Sequence, residues 1–167
     1  MPCGEYQMNL KKQDITEIKG YIHSCHIMTL GTYDSSSVWT APVYYIYFGS
    51  GFYFFSKKSS RHIENGMVSR TVAASIHHHP DGWADIKGIQ MEGTLVPAGH
   101  GPRSIQAFKA YLKRFSEIKD LIRTPFSGSL DQFREQFKVG WYRFEPETMI
   151  YLDNSVKFGY SVEVLSS

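Results

Sequence analysis

Lys57, Lys58, Arg61 and His62 crowd four basic side chains into one short stretch, interleaved with Ser56, Ser59 and Ser60. Upstream runs the apolar aromatic segment Phe52-Tyr53-Phe54-Phe55; downstream come Ile63, Glu64 and Asn65. That pattern reads as a strand, a loop, and a short helix opening at Ser59 or Ser60. A helix start carries unpaired backbone N–H groups and the positive end of the helix dipole, and serine is a favoured N-cap. Bases gathered at such a start suit a phosphate or another anion. A solvated basic turn is the plainer alternative for the same residues.

Other residue clusters point to less. His77-His78-His79 offers imidazoles, but neighbours on an extended chain face opposite ways, so at most two could meet one metal. They accompany no second ligand motif, and the expectation is a solvated strand end with no metal. Cys25 falls on an apolar stripe and reads as a small buried hydrophobe rather than a nucleophile. Tyr111, Lys113 and Arg114 read as a surface helix face, with a rim of a substrate pocket as the alternative. No residue stands out as a general acid or base, so the catalytic residues stay unassigned.

The elements that must position the basic loop follow from hydrophobic spacing. Ile15, Ile18, Ile22 and Cys25 recur at helical intervals after a loose arm over the first ten residues. His26 to Tyr33, Val38 to Phe48 and Phe52 to Ser56 are rich in Thr, Val, Ile, Tyr and Phe. Asp34-Ser35-Ser36-Ser37 and Gly49-Ser50-Gly51 punctuate them as turns, giving an antiparallel meander. After the short helix to about Ser69, Thr71 to Ile76 and Ile86 to Val96 read as two further strands. Ile105, Phe108, Leu112 and Phe115 form the stripe of a long helix, with helical pieces from Glu117 to Ile122 and from Leu130 to Phe137. Trp141 to Phe144 and Met149 to Leu152 read as closing strands split by Glu145-Pro146-Glu147. The fold class is mostly β with helices: an antiparallel barrel in one domain spanning residues 1–167. A closed barrel also removes the sticky edges that such aromatic strands would expose.

Composition narrows the partners. Of 167 residues 42% are hydrophobic and 20% charged, an ordinary globular balance with room for a proper core. The formal charge of +2 is too small to imply nucleic-acid binding. No apolar run is long enough to span a bilayer and the first residues do not read as a signal peptide, so no membrane partner is expected. Two cysteines without disulfide or metal spacing make the cytoplasm the expected location.

Four pieces follow one another between residues 26 and 97: Thr29-Leu30-Gly31-Thr32, Trp39-Thr40-Ala41-Pro42-Val43, the block from Phe52 to Asn65, and Ile86-Lys87-Gly88-Ile89-Gln90-Met91-Glu92-Gly93. In these pieces and their order the chain resembles the FMN-binding split-barrel family, whose best-known members are the pyridoxamine 5'-phosphate oxidases. The later segments Lys109 to Phe115 and Asp153 to Gly159 look like a bacterial branch of that family. The resemblance implies a homodimer with FMN at its two-fold interface, acting on a small molecule as a flavin reductase or oxidase. By position, Thr40, Ala41, Pro42 and Val43 would line the isoalloxazine with backbone groups, and Ser56 would sit beside the ribityl chain. Ser60, Arg61 and His62 fall where the family grips the phosphate with Ser, Arg and Lys; His62 in place of Lys is a weaker, pH-dependent cation, which Lys57 or Lys58 could offset. Gly88 matches a position where the oxidases place a glutamine from the other subunit, and Gln90 is the nearby substitute. Pro42, lacking an N–H, should lie at a strand edge or bulge. The oxidases close with an Arg-x-His type pair that grips pyridoxal phosphate, and residues Phe158 to Leu165 hold no such pair. The resemblance therefore does not extend to pyridoxamine phosphate oxidation. Some split-barrel relatives bind haem through a histidine, so haem is the alternative ligand and a non-catalytic flavin or haem carrier or sensor the alternative function.

Overall fold

The computed structural model describes residues 12–69, 71–122 and 125–164. The expected loose arm over the first ten residues lies outside them. Helix α1 (Lys12–Ser24) buries Ile18 and Ile22, while Ile15 at the head of the stripe stays exposed. Strands β1 (Ile27–Tyr33), β2 (Val38–Phe48) and β3 (Gly51–Ser56) form the expected meander, with Thr29 opposite Pro42 and Ile46 opposite Tyr53. Helix α2 (Arg61–Val68) leads to β4 (Val72–His77) and β5 (Lys87–Pro97). Helices α3 (Pro102–Arg114) and α4 (Leu130–Phe137) precede β6 (Gly140–Asp153) and β7 (Ser161–Val164).

The strands lie in the order β3-β2-β1-β4-β5-β6-β7, and a β3–β6 pairing closes the first six into a barrel. Every pairing is antiparallel. Alternation places Met28, Leu30, Tyr45, Phe52, Phe54, Ile89 and Phe144 inside, the barrel core. The opposite face of β3 and β6 is also apolar. Tyr53 and Trp141 pack there under Phe108, Tyr111 and Phe133 of α3 and α4, forming a second, aromatic core. Ile46 and Phe48 in the second half of β2 join that core, whereas the outer faces of β1, β4, β5 and the first half of β2 stay uncovered.

Two expectations need correction. The closing strands are one: β6 runs unbroken through Glu145-Pro146-Glu147. A register shift between Glu92 and Gly93 absorbs the proline, and Gly93, which faces Pro146, has no side chain to strike the Glu145 carbonyl. Strand β7, which pairs with the second half of β6, carries too short a pattern to stand out in the sequence. Tyr111 and Arg114 are not a surface face: Tyr111 is buried, and Arg114 Nη2 donates 2.6 Å to the Cys25 carbonyl beneath α1. The helical piece expected after α3 is a 3₁₀ helix over Ser116–Leu121.

Candidate functional site

The bare outer face is flat because its central residues are small. Cross-strand register sets Pro42, Thr29, Ser75 and Gln90 in one row and Thr40, Gly31, Ala73 and Glu92 in the next. Ile27, Tyr33, Val38 and Tyr44 rim it, all exposed. Of the residues expected to line a flavin ring, Thr40 and Pro42 face this surface, whereas the side chains of Ala41 and Val43 point into the core. Residues 38–44 of β2 pair with β1 alone, since β3 joins β2 only from Tyr45 onward. Pro42 thus sits on an open edge, as a residue without an N–H should. Gly88 and Gln90 lie on the same outer face, but on β5, three strand spacings from Pro42, or about 14 Å. Within one chain they do not meet the β2 residues.

At the foot of this edge stands the start of α2, with Ser60 as N-cap in extended conformation, as the sequence predicts. The Ser60 carbonyl accepts from the amides of Ile63 and Glu64, while its hydroxyl makes no capping bond. The amides of Arg61 and His62 are therefore left open, the orphan donors of a helix start. Ser56 at the end of β3 donates 3.3 Å to the Ser60 hydroxyl and shares a 2.8 Å hydrogen bond with His62 Nε2. Burial holds the His62 pKa below its ordinary 6.5, so near neutral pH the ring is an uncharged hydrogen-bonding group rather than a cation.

Arg61 is the cation at this point, and it is already occupied. Its Nη2 reaches Asp34 Oδ2 at 3.2 Å and donates to the Ser37 hydroxyl, and its guanidinium lies 4.8 Å from the centroid of the Trp39 ring. Asp34 is held well below the usual carboxylate range, first by the Ser36 amide and hydroxyl and then by Arg61. Lys57 and Lys58 are exposed. Lys58 lines a shallow groove with Asp131, Arg134 and Lys138 of the α4 region.

The structure thus brings together Ser56, Ser60, Arg61 and His62, with Thr40 and Pro42 along the adjoining edge. Asp34 and Ser37 are neighbours of Arg61 that the sequence reading misses, because Asp34-Ser35-Ser36-Ser37 carries only turn signals. Of the three histidines, His77 ends β4 on the outer face opposite Gly88, and His78 Nδ1 lies 3.0 Å from the Tyr21 hydroxyl.

Solved structures share the architecture. HutZ, the heme storage protein from Vibrio cholerae, superposes with a TM-score of 0.61 at 17% identity, over 79% of this chain and 89% of that one. A FAD-binding protein from Mesorhizobium loti gives 0.58 at 15% identity, over 84% and 92%. A Listeria innocua protein provisionally assigned as a pyridoxamine 5'-phosphate oxidase gives 0.57 at 12% identity, over 80% and 94%. At these identities the likeness is one of fold: the chain has the split-barrel architecture of these proteins. No family profile matches it. Among sequences, a UPF0306 protein from Citrobacter koseri is 24% identical over 157 residues, 93% of this chain and 96% of the relative. The UPF0306 protein plu4501 from Photorhabdus laumondii is 31% identical over 114 residues, 65% of this chain and 76% of the relative. With that identity over that share of the relative, the chain belongs to the UPF0306 protein family.

Proposed function

We propose that this protein is an FMN-binding homodimer that uses the flavin for redox chemistry on a small molecule. The observation that carries the reading is the open start of α2, set at the foot of a flat outer sheet face beside the unpaired edge of β2. A phosphate monoester fits the donors there: the amides of Arg61 and His62, the Ser60 hydroxyl and the Arg61 guanidinium. A planar ring fits the edge at Thr40 and Pro42, where β2 has one neighbour and backbone polar groups stay accessible. Bound FMN would supply the electron-transfer chemistry, and the chain's part is to hold, orient and shield it. His62, neutral and tied to Ser56, acts as a positioning group under the phosphate.

The dimer follows from the same face. Ile27, Tyr33, Val38 and Tyr44 form an exposed apolar rim around small residues, an arrangement suited to a second copy. A two-fold partner would also bring its own Gly88 and Gln90 toward the site, which one chain cannot do. We place the protein in the cytoplasm, where buried Cys25 stays a thiol. Among the described residues no helix is long and apolar enough to cross a membrane.

A second reading, a haem carrier or sensor, draws on the likeness to the heme storage protein and on exposed His77, which stands on the outer face opposite side-chain-free Gly88. The visible spectrum of the purified protein separates the two. A flavin spectrum, with NADH or NADPH oxidation in the presence of an electron acceptor, supports the enzyme. A Soret band lost in His77→Ala supports the haem reading, and flavin binding without turnover supports a carrier.

A further inference from the structure

Arg61 meets Asp34, Ser37 and Trp39, all on or beside the β1–β2 hairpin, although it belongs to α2. The contacts to Asp34 and Ser37 both run through Nη2, and the Trp39 ring lies near the guanidinium carbon. The guanidinium therefore does not offer its fork to an incoming phosphate, although the amides of Arg61 and His62 beside it are open. The hairpin itself is rigidly made. Asp34 Oδ1 accepts from the Ser36 amide at 2.8 Å and the Ser37 amide at 2.9 Å, leaving Oδ2 for Arg61. One carboxylate oxygen builds the turn and the other neutralises the cation of the anion site.

We propose that Asp34 is an internal competitor for the anion site: its carboxylate occupies Arg61 until a phosphate displaces it, and so it sets the affinity for phosphorylated ligands. The proposal rests on the reading that α2 opens on a phosphate. A carboxylate and a phosphate dianion on the same guanidinium repel each other, so binding requires the hairpin contact to yield. Apparent affinity then falls by the fraction of time Arg61 is free. A site built this way accepts a doubly charged phosphate and discriminates against singly charged anions, which displace the carboxylate less well.

Asp34→Asn tests this cleanly, because the amide keeps an oxygen to accept from Ser36 and Ser37 while the charge is lost. FMN, riboflavin and inorganic phosphate are titrated calorimetrically into wild type, Asp34→Asn, Arg61→Ala and the double variant. The exposed pair is a weak contact, so the expected gain for FMN and for inorganic phosphate in Asp34→Asn is about three- to fivefold. Riboflavin should bind wild type and Asp34→Asn equally, and the gain should vanish in the Arg61→Ala background. Unchanged FMN affinity in Asp34→Asn overturns the proposal, as does an equal gain for riboflavin or a gain that survives without Arg61. If neither flavin binds any variant, the flavin reading fails and inorganic phosphate decides alone. An Arg61-dependent gain for phosphate then keeps the competitor role, and no phosphate binding by any variant overturns it.

Discussion

Arg61 does two jobs that pull against each other. It closes the β1–β2 hairpin onto α2 through Asp34, and it is the only guanidinium among the residues gathered at the helix start. Arg61→Ala should lower FMN affinity about ten- to a hundredfold, the loss expected for a charge-assisted and partly bidentate hydrogen bond. Riboflavin, which lacks the phosphate, should bind both proteins alike; equal losses for the two flavins in a fluorescence titration would remove Arg61 from the phosphate site. Folding should change little, since the side chain is substantially exposed. His62 gives a separate prediction in pH. Its folded pKa lies below 6.5, so the unfolded chain takes up a proton first as pH falls. The His62 contribution to stability is thus complete above pH 6.5 and declines below it. His62→Gln should flatten the dependence of the denaturation midpoint between about pH 7.5 and pH 5.5, and an unchanged slope would show that the ring is not held neutral.

At the scale of elements, the unbroken β6 depends on Gly93. A Cβ there would run into the Glu145 backbone, which cannot move without opening the barrel seam between β5 and β6. Gly93→Ala should cost about 3 kcal/mol or more. A thermal midpoint within a degree or two of wild type would mean that the seam is looser than it looks. This seam also marks where the sequence stops being readable. The helix start at Ser60 is legible because its signals are local: an aromatic strand, serines, bases and then an apolar helical position. The meander of β1, β2 and β3 is legible for the same reason. Pro146 reads as a strand break because its remedy, the shift at Gly93, lies in a different strand. The pairing of Arg61 with Asp34 hides likewise, since the partners are 27 residues apart and joined only by the fold. Tyr111 was hidden by its charged neighbours; the aromatic core that buries it is assembled from β3, α3, α4 and β6 together.

For the whole molecule, the asymmetry between its two sides sets the argument. Helices α3 and α4 cover one outer face with an aromatic core, while the face of β1, β4, β5 and the first half of β2 is left open, rimmed with apolar residues and bordered by the open start of α2. A second copy covering that face should bury at least about 1,200 Å² in total, the size of a stable interface. Tyr44→Lys at the rim should weaken the dimer and FMN binding together, since one face serves both, and a variant that loses the dimer yet keeps full FMN affinity would separate them. The most direct measurement of the central claim is sedimentation velocity of the apoprotein mixed with FMN, followed in the visible flavin band. The account predicts flavin absorbance moving with a particle of twice the 19.1 kDa chain mass, one FMN per chain. Flavin left behind at the meniscus while the protein sediments as a 19.1 kDa monomer would contradict it.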